Sequence, residues 1–280
     1  MTIATASREF ELTDRDFETI AKLVHEIAGI YLSASKRQLV YTRLSKRLRQ
    51  LRLGSFRDYI DILEGPRRDD ELGFLLNAIT TNLTSFFREV HHFEHLANEV
   101  RGWLAPGNRR RLRIWSSACS SGEEPYSIAM TLVRQEVHKR SVDAKILATD
   151  IDTNVLDRAR AATYPSDAFK TLEKAEIDRF SEPAGGDPQG LRRIRAEVAS
   201  LVHCKRLNLM HAWPMKGPFD AIFCRNVLIY FDAPTKASLV DRFADLLVDG
   251  GILYLGHSES LVQQHPRLRL VGRTTYRRES

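Results

Sequence analysis

No run of about 18 consecutive apolar residues occurs in the chain, which on length excludes a membrane-spanning helix. Met1 to Glu9 carry no apolar stretch and no small-residue cleavage site, so secretion is not expected. Cysteine is scarce. Cys119, Cys204 and Cys224 are odd in number and widely spaced, which offers neither a disulfide frame nor a zinc site and fits a reducing cytoplasm. No Gly-x-Ser-x-Gly elbow is present, so Ser116, Ser120 and His257 do not read as a hydrolase. Internal repeats and low-complexity tracts are also missing. What remains is ordinary globular composition: 43% hydrophobic and 28% charged residues over 280 positions, enough to bury a core. The formal net charge of +6 points to an acidic partner, whether nucleic acid, membrane surface or protein.

The chain has two rhythms. From Thr13 to about Glu99 it reads as helices only. Thr13 with Asp16 forms a capping pair ahead of an apolar stripe at Phe17, Ile20, Leu23, Val24 and Ile27, closed by Gly29. A second helix opens near Ser35, turns Leu39, Val40, Leu44, Leu48 and Leu51 inward and stops near Gly54. Two more follow, carrying Phe56, Tyr59, Ile60 and Leu63, then Leu72, Leu75, Leu76 and Ile79. From about Arg111 short apolar runs alternate with helices: strands at 112–116, 145–149, 219–224 and 252–255, helices at 124–136, 153–162 and 234–248. That alternation predicts a mostly parallel sheet covered on both faces. Between about 164 and 207 the pattern breaks into a polar, glycine-bearing insertion with short strands near Leu191, Ile194 and Val198.

Open parallel sheets bind ligands beyond the carboxyl ends of their strands, and three polar segments fall there. The first is Ser116 to Tyr126, where small residues permit close approach to the backbone and a helix opens with exposed N–H groups. With only Gly122 as glycine it is no dinucleotide fingerprint, and Glu123 and Glu124 would repel phosphate, so a nucleoside without phosphates suits it better than a nucleotide. A plain strand–helix turn with a charged cap explains this segment equally well. The second is Asp150, an acid able to accept both ribose hydroxyls, with Asp152 placed to cap the next helix. The third is Arg225-Asn226, a polar pair closing a buried strand.

Five segments in order carry a resemblance: Thr81 to Glu89 (TNLTSFFRE), Ser121 to Ser127 (SGEEPYS), Ala148 to Asp152 (ATDID), Phe223 to Phe231 (FCRNVLIYF) and Gly256 to Glu259 (GHSE). Together they resemble the CheR family of chemoreceptor glutamate methyltransferases over essentially the whole chain. The resemblance implies an α/β fold: a Rossmann-like domain binding S-adenosyl-L-methionine (SAM) over 86–280, a small β-subdomain inserted at about 164–207, and an all-α N-terminal domain over 1–85. It implies that Asn82, Thr84 and Arg88 reach the cofactor, that Glu123 or Glu124 touches it, and that Asp150 holds the ribose. Asn208 with Leu209 and Asn226 with Val227 would flank its adenine and methionine portions. Arg88 also suits the SAM carboxylate as a two-pronged donor, the rival being a surface ion pair with Glu89 or Glu94.

The implied reaction is in-line displacement by a carboxylate that is already anionic at neutral pH, so no general base is expected. Arg225 and Tyr230 are the candidates for orienting the substrate. Between Ser33 and Arg57 there is no acid, and Arg43, Lys46, Arg47 and Arg49 are the expected docking residues for the cytoplasmic helical domains of chemoreceptors. Nucleic acid and a merely solvated helix face are the rivals for that stripe, and nucleic acid and membrane insertion are not expected. The segment Gly185 to Gly190 resembles a loop that holds a receptor's C-terminal peptide, with a plain β-turn as the alternative. His91 and His95 have metal-binding spacing without an accompanying carboxylate pattern, so no metal is expected. Two other functions stay open: a non-catalytic SAM-binding adaptor, and a methyltransferase acting on nucleic acid.

Overall fold

The computed structural model describes residues 9–105, 111–137, 140–185, 190–261 and 264–280. They form two compact units, one running through Thr81 and including Tyr230–Asp232, the other comprising Asn82–Ile229 and Ala233–Ser280. No described helix is long and apolar enough to cross a membrane.

The first unit is helical. α1 (Asp14–Ala28) opens on a capping box in which Asp16 N–H donates to Thr13 Oγ1 and Thr13 N–H to Asp16 Oδ2, and it ends on Gly29 at φ 69°. α2 (Arg37–Leu51) ends three residues before Gly54, near which the sequence predicts its stop. Arg52 adopts φ 56°, and Leu53 N–H donates back to Leu48 O at 3.0 Å, which draws Leu53 onto the core. α3 (Phe56–Glu64) and α4 (Arg68–Ile79) complete the set. Ile20, Val24, Val40, Leu44, Leu48, Phe56, Tyr59 and Leu75 are almost fully buried at its centre. Burying each such side chain contributes about 1.5–3 kcal/mol, which is why the apolar spacing dictates these helices.

The second unit carries a seven-stranded sheet in the order β6-β2-β1-β7-β8-β10-β9. Its strands are β1 (Arg111–Ser116), β2 (Asp143–Asp150), β6 (Val202–Arg206), β7 (Phe219–Cys224), β8 (Leu247–Leu255), β9 (Leu268–Gly272) and β10 (Thr275–Arg278). Pairing is parallel from β6 to β8, and β10 and β9 add antiparallel. Strand order reverses between β1 and β7, the switch point where such sheets place ligands. α5 (His91–Trp103) continues the helical rhythm of the first half, yet its Phe93, Leu96, Val100 and Trp103 are buried in this second core. α6 (Glu123–Arg134), α7 (Thr153–Ala161) and α10 (Ala233–Leu246) are the crossover helices.

Between α7 and β6 lies the insertion, a three-stranded antiparallel sheet in the order β3 (Thr163–Pro165), β5 (Leu191–Ile194), β4 (Ser181–Ala184), with short helices α8 (Lys174–Phe180) and α9 (Ala196–Ala199). It shares the main core: Tyr164, Phe169, Phe180 and Val198 are buried with Phe86, and Phe86 stacks on Phe169 at 4.6 Å between centroids. Residues 186–189 of the peptide-loop expectation lie outside the described residues.

Candidate cofactor site at the strand ends

Asp150 closes β2 and is 7% exposed. Its Oδ2 accepts Ser120 N–H at 2.8 Å and its Oδ1 accepts Asp152 N–H at 3.0 Å. Burial pushes its carboxyl up to about 6 despite these two donors. Asp152 caps α7 through Asn154 N–H at 2.8 Å, as its position predicts, and also accepts Asn82 Nδ2 at 2.7 Å. Asn82 O in turn accepts Ser120 Oγ at 3.0 Å, so the segment entering the domain is laid across the ends of β1 and β2. Below this layer Trp115 Nε1 donates to Thr149 Oγ1 at 2.9 Å, and Thr149 Oγ1 donates to Ser117 O at 3.0 Å, locking the two strand ends together.

A second cluster surrounds the end of β7. The Arg225 side chain is 2% exposed and lies between Glu124, at 2.8 Å, and Glu89, at 3.4 Å, while also donating to Arg88 O. Glu124 Oε1 accepts Ser116 Oγ at 2.7 Å, so both its oxygens are engaged inside the fold. Burial opposes the charge of Glu89, but Arg225, His257 N–H and Asn226 Nδ2 overcome it and hold the carboxyl below its ordinary range. For Glu124 burial wins and its carboxyl is raised. Glu259, 6% exposed, accepts N–H from Asn226 at 2.7 Å, Gly256 at 2.7 Å and Ile229 at 3.1 Å. A Cβ on Gly256 would stand 2.4 Å from Glu259 Oε2 and 2.7 Å from Asn226 N, so only glycine fits there. Phe87, Glu89, Ser120 and Asn226 all take positive φ in these loops. Non-glycine residues in that region cost about 1–3 kcal/mol each, and such strain gathers at functional sites.

The expected site residues divide accordingly. Asn82, Glu123, Asp150 and Asn226 sit in the strand-end loops. Glu123, rather than Glu124, keeps a half-buried carboxylate, in contact with Ser121 Oγ at 2.7 Å. Thr84 and Val227 are half-buried in the same loops. Arg88 makes no ion pair with Glu89 or Glu94 among the described contacts; it donates to Leu83 O at 2.8 Å. Leu207 N–H donates to Asp150 O at 2.9 Å, which brings Asn208 and Leu209 to the end of β2, and Asn208 Oδ1 accepts Met210 N–H. Arg225 differs from the expectation of a substrate-orienting cation, because its guanidinium is buried between two carboxylates of this chain. Tyr230 groups with the helical unit, where its carbonyl accepts Tyr31 N–H at 2.7 Å. Sequence reasoning missed the Glu259 clamp, although the Gly256 to Glu259 segment marked the spot.

The basic helix is also tied into contacts within its own unit. Arg43 donates to the carbonyls of Ile79 and Thr80 at 2.7 Å and closes the C-terminal end of α4. Arg47 holds Glu71 through two 2.7 Å bonds and lies 3.6 Å over the Phe74 ring. Arg49 pairs with Glu9 at 2.7 Å. Only Lys46 of the four expected docking residues is exposed and without a described ion pair. Reading charge along one helix overlooked acids and carbonyls that other segments bring to it. The His91–His95 pair separates too: His95 Nδ1 bonds Tyr254 Oη at 2.9 Å, while His91 and His92 group with Glu89.

Residues 82–277 match the family described as CheR methyltransferase, SAM binding domain, and residues 15–80 match CheR methyltransferase, all-alpha domain. The chemotaxis protein methyltransferase of Klebsiella aerogenes is 44% identical over 98% of this chain and 93% of its own length. Chemotaxis protein methyltransferase 2 of Pseudomonas aeruginosa is 45% identical over 96% and 95%, and the chemotaxis protein methyltransferase of Escherichia coli 43% over 95% and 91%. These matches define a SAM-dependent methyltransferase of α/β fold with an all-α domain before it. The chain belongs to the CheR methyltransferase family.

The residues present fit that cofactor. A buried carboxylate at the β2 end suits a ribose diol, and the acids Asp150, Asp152 and Glu123 suit a sulfonium nucleoside while disfavouring phosphate.

Proposed function

We propose that this enzyme methylates glutamate side chains of chemoreceptors in the cytoplasm, giving carboxyl methyl esters. The supporting observation is near full-length similarity to chemotaxis methyltransferases combined with a strand-end site built around Asp150. In this reading Asp150 holds the ribose, Glu123, Asn208, Leu209, Asn226 and Val227 line the nucleoside and methionine portions, and Asn82, Thr84 and Arg88 approach from the N-terminal side. Bound SAM supplies a methyl group on a sulfonium, an electrophile that needs no metal or base to react with a carboxylate. The chain's own contribution is alignment and exclusion of water, worth about 7–11 kcal/mol in favourable cases. Arg225 acts by positioning: it fixes Glu89, Glu124 and the Arg88 carbonyl, and through them the loops that carry the site.

The test uses methyl-labelled SAM with membranes containing chemoreceptors. Base-labile label on receptor bands, released as methanol, is the expected result, because carboxyl esters hydrolyse where N-methyl groups persist. Label on nucleic acid would give the activity to the rival substrate, and SAM binding without any label would leave an adaptor. Tyr230→Phe with unchanged turnover and unchanged SAM affinity would remove its hydroxyl from substrate orientation. In this reading exposed Lys46 contributes to receptor docking, and whether a receptor peptide docks at the β-subdomain is a separate binding question for a labelled peptide.

A further inference from the structure

The turn into α5 gathers three ligand-type atoms that the fold leaves without hydrogen-bond partners. Glu89 Oε2, His91 Nε2 and His92 Nδ1 are each buried with no such partner, and Glu89, His91 and His92 offer ligand atoms within 4.8 Å of one another. The His92 side chain is 0% exposed. Its Nε2 lies 3.2 Å from Arg273 O, which can only accept, so Nε2 carries the hydrogen and Nδ1 presents a lone pair. That lone pair faces Glu89 Oε2 at 3.6 Å, acceptor against acceptor. The His91 ring lies beside it, with centroids 4.1 Å apart. Arg225 stands 3.4 Å from Glu89 Oε2 and supplies its counter-charge, but no donor reaches His91 Nε2 or His92 Nδ1 among the described residues, and buried acceptors without a partner are costly.

The geometry points to a binding site for a divalent transition-metal ion, with Glu89 Oε2, His91 Nε2 and His92 Nδ1 as ligands and an open fourth position. Two imidazoles and one carboxylate are a donor set that Zn2+ and Co2+ accept. Tetrahedral ligands about 2.1 Å from a metal stand about 3.4 Å apart, close to the 3.6 Å between Glu89 Oε2 and His92 Nδ1. The second sphere is already in place. His92 Nε2 is held by Arg273 O and Thr274 Oγ1, and Glu89 Oε1 accepts from Asn226 Nδ2 and His257 N–H. Arg225, 3.4 Å from Glu89 Oε2, opposes a cation and limits its affinity, while Glu124 on the far side of the guanidinium offsets that charge. Because Glu89 touches both Arg225 and Asn226, an ion here would compete with the arginine for the carboxylate and shift the Asn226 loop.

The experiment is equilibrium dialysis of the full chain against Co2+, with metal analysis and visible absorption spectra. One Co2+ per chain is expected, with the d–d bands of imidazole ligation. His91→Ala should weaken binding by more than the roughly 10–100-fold that loss of an outer partner costs. Since His92 is buried and its replacement endangers folding, Glu89→Gln serves as the second variant, with circular dichroism confirming the fold of each. Absence of stoichiometric Co2+ binding by the unaltered chain, or binding that both variants leave unchanged, would overturn the site.

Discussion

At the scale of single residues the strand-end site is held by carboxylates whose ionisation the fold controls. Burial pushes the Asp150 carboxyl up to about 6, and only its ionised form offers both oxygens purely as acceptors. Protonation removes that capacity, so SAM affinity should fall as pH drops through about 6, and Asp150→Ala should weaken binding at least tenfold at pH 8, both read by calorimetry. Arg225 is the opposite case, a cation enclosed by acids. Arg225→Ala leaves Glu89 and Glu124 buried without their counter-charge and should cost about 3–5 kcal/mol in urea unfolding. A fall in activity in that variant therefore carries no information about substrate contact. Gly256→Ala forces a methyl group onto Glu259 and Asn226, and should lower both the melting temperature and SAM affinity.

Whole elements were legible to different degrees. The capping box and stripe of α1 follow from spacing, because one buried face fixes a period of 3.6, and the strands β1, β2 and β7 follow from their short apolar runs, because a parallel sheet is covered on both faces. The end of α2 was not, since Arg52 in place of a glycine takes the left-handed position and Leu53 burial compensates. Nor did sequence reveal what the basic side chains of α2 do. Their partners, Glu71 and the last carbonyls of α4, lie about one helix hairpin away, and no local pattern announces them. At this scale Glu71→Ala leaves Arg47 and Tyr59 Oη without their shared carboxylate, and should destabilise the helical unit by about 3 kcal/mol. Lys46→Glu should instead preserve stability and SAM affinity while reducing receptor methylation. If methylation stayed at its original rate, α2 would have no part in docking.

For the molecule as a whole, the order of strands and the place of the site came from alternation and polar strand ends, whereas the wiring among Glu89, Glu124, Arg225 and Glu259 needed three dimensions. Those residues are spread over 171 positions of the chain, from Glu89 to Glu259 inclusive, and meet only when the sheet forms. The insertion between α7 and β6 makes the same point for packing. Drawn as topology it is an excursion that leaves the main hydrogen-bond ladder intact, which invites its exchange between relatives as a cassette. Its interior is nonetheless the lid of the main core, with Phe169 stacked on Phe86 and Tyr164 Oη donating to Ser121 O in the first strand-end loop. A chimera that swaps residues 163–199 alone would import foreign rings against Phe86 and break the Tyr164 bond. The insertion and the loop beneath it are thus exchangeable only as a linked block.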